Sequence, residues 1–342
     1  MVKASVIILN YKGKRFLKDC FESLRKQTFK DFEVIFMDNA SNDNSAEHVK
    51  EIYPKARIIE NKVNLGFAGG NNLAYKQAKG EYVVLLNNDT IADKNWLKNM
   101  IKEADKDPNV ALVGAICAPF NTPFEKINVK NFPHSTIGIT GADIHISSKR
   151  SLYVDGASCL IRKKFFEKPF DEDFFCYAED VYLSWLANLK GYKVVHSESK
   201  YLHYGSGASA NTPQSTMTHY LVERNILMDF LIFYQISTLL KLLPLIALSR
   251  IVKILSKLFT FQFSRAWAIF RGELWFIFHL PKIVLKRKKV QKMRKVSDKE
   301  ILKLMSCKMF NERESAARIL NIFSCAYLKL MRIKTIENEA RN

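Results

Sequence analysis

The sequence lacks the signatures of several protein classes. None of its six cysteines forms a CxxC pair, so the cysteines argue against a zinc site or a disulfide framework and favour a reducing compartment. Its Gly-rich segment matches neither the dinucleotide-binding fingerprint nor the P-loop. We find no internal repeat and no low-complexity tract, and because the chain opens with a strand pattern, we expect no signal peptide.

Charge is unevenly distributed along the 342 residues. Residues 1–220 carry 29 Lys and Arg against 25 Asp and Glu, a net charge of +4, whereas residues 221–342 carry 24 against 9, a net charge of +15. Hydrophobic residues make up 48% and charged residues 25%, as in a folded chain. We therefore interpret the first part as a soluble domain and the second as a basic, apolar appendage with an anionic partner.

Apolar runs and helical spacings alternate as far as Ile116. This alternation predicts an α/β fold with an open parallel sheet and helices on both faces, which binds ligands at the carboxyl ends of its strands. Strands are predicted at Val2–Asn10, Phe32–Met37, Ala56–Glu60, Tyr82–Leu86, Val110–Ile116, Tyr153–Arg162 and Tyr192–His196. Helices are predicted after Phe16 and at Gly69–Ala78, Trp96–Ala104 and Ala178–Leu189, with a loop at Gly205–Pro213.

Polar clusters follow three of these strands, after Leu9, Met37 and Leu86, so their side chains are expected at one edge of the sheet. Asp38 ends its strand, where its carboxylate can accept a hydrogen bond from a base or ribose. Asn87-Asn88-Asp89 follows another strand, and Asp89 supplies a hard oxygen ligand for Mg²⁺ or Mn²⁺. Both clusters also have simpler interpretations, since polar residues of these types form turns and helix caps.

Three further features are ambiguous when each is taken alone. The segment from Asn64 through Gly66 to Asn72 can bring its backbone close to a phosphate, or it is a plain helix entry. Glu179 and Asp180 precede a helical pattern and can be mere partners of the helix dipole. His203, a single histidine before Tyr204-Gly205, is compatible with a purely structural role.

The ordered combination is more specific than its parts. The segments DNASND, NLGFAGGNN, LLNND, FDEDFFCYAED and HYGSGAS, between about residues 3 and 210, resemble glycosyltransferase family 2, which has the GT-A fold, and most closely its rhamnosyltransferase-type branch. The resemblance implies that Tyr11 and Asp38 contact the base and ribose. It also implies that Asp89 and His203 hold the metal and that Asp180 is the general base. We add Asn64, Gly66, Asn87 and Asn88 as donor-binding residues.

Some positions depart from the family pattern. Asparagines occupy two positions of the metal motif where acids are common, Tyr182 replaces a frequent Asp, and Leu186 replaces a frequent Arg. These departures concern the choice of acceptor more than the reaction. The resemblance implies inverting transfer of rhamnose or another hexose from a UDP- or dTDP-sugar to the hydroxyl of a glycan or lipid-linked glycan, with Mg²⁺ or Mn²⁺ as cofactor.

We expect a GT-A domain over residues 1–215 and a helical, basic region over residues 216–342. Residues 226–285 mix apolar and basic residues with a proline, which suits helices lying on an anionic membrane surface at the cytoplasmic face, or else a subdomain packed on the core. A polyprenyl-phosphate sugar synthase is the nearest enzyme alternative. We expect no nucleic-acid partner, because the basic residues are interleaved with Leu, Ile and Phe and no recognition motif is present.

Overall fold

A computed structural model describes residues 2–129, 134–146, 152–205, 215–311 and 315–339. It divides into two compact units. Unit 1 comprises Met1–Phe132, Val154–Leu183 and Lys193–Pro213, and unit 2 comprises Pro133–Tyr153, Ser184–Tyr192 and Gln214–Asn342. Unit 2 therefore includes two segments that lie before the predicted domain boundary at residue 215. The predicted loop Gly205–Pro213 falls, from residue 206 onward, outside the described residues.

Ten strands are found in the described residues. They are β1 (Ala4–Asn10), β2 (Phe32–Asp38), β3 (Arg57–Glu60), β4 (Tyr82–Leu86), β5 (Thr90–Ala92), β6 (Val110–Pro119), β7 (His134–Ile137), β8 (Asp143–Ile146), β9 (Ser158–Arg162) and β10 (Lys193–His203). All but β7 and β8 form the sheet of unit 1, in the order β3-β2-β1-β4-β9-β6-β10-β5. The strand β10 continues past its predicted end at His196 to His203, through an irregularity between His196 and Lys200.

The sheet is open, as predicted, but it is mixed rather than parallel. The strand β9 runs antiparallel to both β4 and β6, and β5 runs antiparallel to β10. All five residues of β9 are buried. A strand that is buried on both faces shows no alternation of apolar and polar residues. Its sequence therefore does not indicate which strands it pairs with or in which direction it runs.

Helices of unit 1 cover both faces of the sheet. The helices are α1 (Lys14–Arg25), α2 (Ser45–Ile52), α3 (Gly66–Gln77), α4 (Trp96–Asp105) and the first turn of α5 (Glu179–Leu189). Val6 and Ile8 of β1 belong to the same core as Leu17 of α1 and Val49 of α2. Leu9 points to the opposite face, where it lies against α3, because successive residues of a strand alternate between faces.

Parallel pairing brings the polar strand ends together. Asn10 at the end of β1 is paired with Asp38 at the end of β2, and β4, which precedes Asn87-Asn88-Asp89, is the other neighbour of β1. The predicted convergence of these three clusters at one edge is therefore found in the structure.

Unit 2 is mostly helical. It contains the hairpin of β7 and β8, the later part of α5, and α6 (Thr216–Phe233), α7 (Ile236–Phe259), α8 (Phe263–Phe278), α9 (Leu280–Lys292), α10 (Asp298–Leu302), α11 (Ser315–Leu330) and α12 (Ile336–Glu339). Trp185 of α5 stacks on Phe233, with 5.1 Å between ring centroids, and Thr136 of β7 donates to the carbonyl of Leu304 (2.6 Å). These contacts explain why segments before residue 215 join the helical unit.

One disulfide corrects the reading of the cysteines. Cys307 is bonded to Cys325 of α11, across 18 positions of sequence. Because 18 positions separate the two cysteines, they form no short sequence motif that would predict their pairing. None of the helices in the described ranges has the length and apolarity needed to cross a membrane.

Candidate active site at the carboxyl edge of the sheet

Asp38 is held by a small polar network at the end of β2. The side-chain amide of Asn10 donates to Asp38 Oδ1 (3.1 Å) and to Ser41 Oγ (3.0 Å), while the Ser41 hydroxyl donates to Asp38 Oδ1. The backbone amide of Ser41 donates to Asp38 Oδ2 (3.2 Å). The carboxylate is thus fixed and largely buried, and Tyr11 lies in the exposed turn that follows Asn10.

Asn39, which the sequence analysis did not single out, connects three segments of this edge. Its amide donates to Asn64 Oδ1 (2.9 Å) and to the Gly66 carbonyl (3.0 Å), and its Oδ1 accepts from Asn61 Nδ2 (3.0 Å) and from the Leu65 backbone amide (3.0 Å). Asn39 is fully buried. Its four hydrogen bonds hold the turn before α3 in place, so Asn64 acts here as a structural acceptor.

Gly66 begins α3 three residues earlier than predicted. Its φ is +70°, a backbone conformation that residues other than glycine rarely adopt. A Cβ at this position would lie 2.3 Å from the Phe175 carbonyl oxygen. That carbonyl also accepts from the Ala68 backbone amide (3.1 Å). Phe175 itself and the nearby Tyr177 and Ala178 have φ values of +62°, +72° and +64°. A left-handed backbone at non-glycine residues is strained and is found most often at functional sites.

The Asn87-Asn88-Asp89 loop contacts both β1 and β10. Asn88 donates to Asn10 Oδ1 (2.6 Å), and the backbone amide of Asn87 donates to the Ala157 carbonyl (2.9 Å). Asp89 Oδ1 lies 3.0 Å from His203 Nε2, and both side chains are largely buried. The structure therefore places the two predicted metal ligands side by side.

The pairing changes the proton affinity of His203. Burial alone would lower its pKa, but hydrogen bonds to Asp89 and Cys117 and the charge of Asp89 outweigh this and raise the pKa of His203 to about 10. A divalent cation would compete with that proton for the imidazole nitrogen.

Glu179 and Asp180 differ in their surroundings although they are adjacent at the start of α5. Asp180 is partly exposed and accepts from the backbone amides of Gly156 (3.0 Å) and Val181 (2.8 Å). Glu179 is buried, and its Oε2 has no hydrogen-bond partner among the described residues. Burial, followed by the charge of Asp180, raises the pKa of Glu179 well above its ordinary value and favours the neutral acid.

Asp155 is a second residue that the sequence analysis missed. It is exposed, and its carboxylate accepts from the Ala157 backbone amide (2.8 Å). Burial, followed by the charge of Asp155, raises the pKa of Tyr201, which Asp89 raises further. Asp155 also contributes to the raised pKa of Glu179. Its carboxylate therefore lies within electrostatic reach of Tyr201 and Glu179, and an Asp-Gly pair just before a buried strand is the signal that could have revealed it.

Comparisons with known proteins agree with this geometry. Residues 5–170 match the family model described as Glycosyl transferase family 2. That region is a glycosyltransferase family 2 domain. An uncharacterized glycosyltransferase of Methanocaldococcus jannaschii is 32% identical to this chain over 114 residues, which cover 32% of this chain and 39% of that protein. The poly(ribitol-phosphate) β-N-acetylglucosaminyltransferase TarS of Staphylococcus aureus is 27% identical over 158 residues, which cover 45% and 26%.

The family 2 domain has the GT-A fold. Among solved structures, a mannosyltransferase of Pyrobaculum calidifontis in complex with GDP-Man and Mn²⁺ aligns with a TM-score of 0.52 and 15% identity, covering 96% of this chain and 85% of that chain. The matched segments span less than two fifths of the length of the curated relatives named above.

The residues Asp89 and His203 have donor atoms that suit a divalent cation. Two neighbouring donors on an octahedral ion with bonds of about 2.1 Å are separated by about 3.0 Å. Asp89 Oδ1 and His203 Nε2 have this separation, and oxygen with imidazole nitrogen suits Mn²⁺. No group of three potential ligands from His, Cys, Asp or Glu occurs in the described parts of the chain. The remaining ligands would therefore come from elsewhere, such as a diphosphate.

Gly66→Ala tests whether the turn before α3 shapes the donor site. At this position alanine would have to adopt a left-handed backbone, which costs about 1–2 kcal/mol for an L-residue. Its methyl group would also collide with the Phe175 carbonyl. We expect lower thermal stability and at least about tenfold weaker nucleotide binding, measured by calorimetry. Gly191→Ala is the matched control, because Gly191 has a φ of +80° but its nearest new neighbour lies 3.7 Å away. Equal losses of nucleotide affinity in both variants would contradict the assignment.

Proposed function

We propose that this protein is an inverting glycosyltransferase that transfers a hexose from a nucleoside diphosphate sugar to an acceptor hydroxyl. The observation that carries the proposal is the Asp89–His203 pair at the same sheet edge as Asp38, within a family 2 domain. That edge supplies a fixed carboxylate for a ribose, a glycine-bearing turn and a donor pair for a cation.

The donor half of the site binds and orients the nucleotide. Asp38, fixed by Asn10 and Ser41, accepts from the ribose or base, and Tyr11 is exposed beside it to cover the base. Asn39 holds the turn at Gly66, and Asn88 is fixed by Asn10. Rigid placement of this kind reduces the entropy that must be lost when donor and acceptor are aligned.

Mg²⁺ or Mn²⁺, held by Asp89 and His203, would offset the negative charge that develops on the departing diphosphate. The acceptor half is assigned to Asp180. Its carboxylate is partly exposed and is oriented by the Gly156 amide, so it can remove the proton of the attacking hydroxyl. Direct attack on the anomeric carbon inverts the configuration and needs no covalent intermediate.

The narrower proposals concern the substrates and the location. We propose a UDP- or dTDP-sugar as donor, with rhamnose favoured by the resemblance of the motifs, and a glycan or lipid-linked glycan as acceptor. One curated relative is named for transfer to poly(ribitol-phosphate), which supports a polymeric acceptor. We place the reaction at the cytoplasmic face of the cell membrane, where nucleotide sugars and a basic tail with a net charge of +15 would meet anionic lipid.

A donor panel tests the reaction. The protein is incubated with UDP- and dTDP-sugars and Mn²⁺, and proton NMR follows release of the nucleoside diphosphate and the configuration of the sugar product. We expect release from one donor class, inversion at the anomeric carbon, and loss of both signals with EDTA. If no donor in the panel releases nucleoside diphosphate or raises the melting temperature of the protein, the proposal of a UDP- or dTDP-sugar donor is wrong, and the same result with GDP- and ADP-sugars would contradict the proposed reaction itself.

A further inference from the structure

Helix α7 has an exposed apolar stripe along its whole length. Up to Leu258 its exposed large side chains lie at spacings of four, three, eight, four and three residues, which places them on one broad face of the helix, and Phe259 follows at its end. They are Ile236, Leu240, Leu243, Ile251, Leu255, Leu258 and Phe259. Water-facing stripes of this length are unusual in soluble proteins, where single exposed apolar residues are the norm.

Helix α8 repeats the pattern, and the connection between the helices extends it. Phe263, Trp267, Phe270 and Ile277 are exposed on α8 at spacings of four, three and seven residues. Phe259 and Phe261, beside and within the connection, are 79% and 80% exposed. Phe261 and Phe263 contact each other edge to face, with 6.1 Å between centroids. The tip of the hairpin is therefore an aromatic cluster that projects into solvent.

Several charged residues of α6 and α7 lie inside, although Lys241 of α7 and Arg271 of α8 are exposed. Glu223 of α6 pairs with Arg250 of α7, and Lys253 donates to both oxygens of Glu223 (2.8 and 3.1 Å). Arg250 also donates to the Thr140 carbonyl (3.1 Å), and it is buried together with Glu223. Burying charges while exposing Phe, Trp and Leu is the reverse of the arrangement that water favours. The outer face is therefore suited to an apolar surface.

The net charge of these helices indicates which kind of apolar surface their exposed face binds. Residues 236–292 contain twelve Lys and Arg and a single acid, Glu273, a net charge of +11. Lys257 precedes the aromatic tip, Arg265 follows it, and Arg271 is exposed further along α8. A second copy of this chain would bring the same positive charge to the contact, whereas anionic lipid headgroups are complementary to it.

We propose that the α7–α8 hairpin binds an anionic lipid bilayer, with Phe259, Phe261 and Phe263 entering the interface and Lys257 and Arg265 facing the headgroups. Aromatic side chains are favoured at the boundary between headgroups and acyl chains, and basic side chains beside them bind the headgroup phosphates. The proposal goes beyond the proposed transferase reaction and does not depend on it, since it concerns unit 2 alone.

Trp267 is a built-in probe of this contact. It is 56% exposed, whereas Trp275 on the same helix is partly buried and Trp96 and Trp185 are fully buried, so the emission of Trp267 should respond most to a new apolar environment. With vesicles of equal parts phosphatidylcholine and phosphatidylglycerol, we expect a blue shift of the emission and quenching by brominated acyl chains. Trp267→Phe should remove most of the shift while sedimentation with the vesicles persists, because only the partly buried Trp275 then remains on α8. An unreduced shift in Trp267→Phe, or the absence of any shift with the full-length protein, would overturn the proposal.

Substitution of the tip separates lipid binding from other uses of the face. Phe261→Ser with Phe263→Ser should reduce vesicle affinity at least about tenfold. Val63→Ser, at a similarly exposed apolar residue of unit 1, should leave it unchanged. Circular dichroism establishes that the variants are folded. Equal binding to pure phosphatidylcholine vesicles, or a double variant that binds normally, contradicts the proposal. A dimer in lipid-free solution that the double variant converts to monomer would identify a second copy as the occupant instead.

Discussion

Asp180→Asn is expected to reduce sugar transfer by about 10²–10⁴-fold while donor and metal binding stay normal. The substitution preserves the size of the side chain and its ability to accept from the Gly156 amide, but an amide cannot take a proton from the acceptor hydroxyl. Initial rates at saturating donor and acceptor measure the loss, and calorimetry with the nucleoside diphosphate and Mn²⁺ measures the binding.

The adjacent acid is the matched control. Because burial raises the pKa of Glu179 and favours its neutral form, Glu179→Gln replaces one neutral group with another of the same shape. We expect its turnover to be close to that of the unmodified protein. Near-normal turnover in Asp180→Asn would contradict the assignment of the base and would favour transfer to a lipid phosphate, which needs little general-base catalysis.

Asp89→Ala should abolish the metal-dependent part of nucleotide binding. A ligand at about 100 times its dissociation constant stabilises a protein by roughly 2.7 kcal/mol, which thermal unfolding detects readily. We expect UDP or dTDP with Mn²⁺ to give this increment in the unmodified protein and to give little of it in Asp89→Ala. The physical reason is that removing the carboxylate leaves His203 as the sole protein donor of the pair.

Two comparisons make this result specific. His203→Ala should weaken metal-dependent binding less than Asp89→Ala, because it leaves the charged ligand in place. Asp31→Ala, which removes an exposed carboxylate before β2, should change nothing. Nucleotide binding that is insensitive to EDTA and to Asp89→Ala would show that the metal assignment is wrong.

The sequence predicted which polar residues meet at the carboxyl edge of the sheet better than it predicted strand directions and tertiary contacts. Asn10, Asp38 and the Asn87-Asn88-Asp89 loop end or follow apolar runs that were predicted to be buried strands, and parallel pairing brings them together. His203 was selected by family resemblance, and the structure gives it a position because β10 extends beyond His196. Functional residues at strand ends can be predicted from the sequence, because the end of an apolar run marks where a strand ends.

Other features depend on contacts between distant residues and leave no local pattern. The antiparallel direction of β9 is decided by its pairing with β4 and β6, which are distant from it in sequence. Asn39 makes four hydrogen bonds to residues 61–66, yet in the sequence it looks like any turn asparagine. Cys307 and Cys325 are paired by the packing of α11. In each case the deciding interaction is tertiary, and a single sequence does not record it.

The contact between Gly66 and Phe175 has an evolutionary consequence. The Phe175 carbonyl accepts from Ala68, its ring lies against Gly66, and only four residues separate it from Asp180. A substitution that moves the donor turn therefore also moves the start of α5, unless a second substitution near Phe175 compensates for it. Residues 64–68 and 175–180 should consequently covary among homologues, and exchange of one segment for that of a homologue should be tolerated only when the other is exchanged with it.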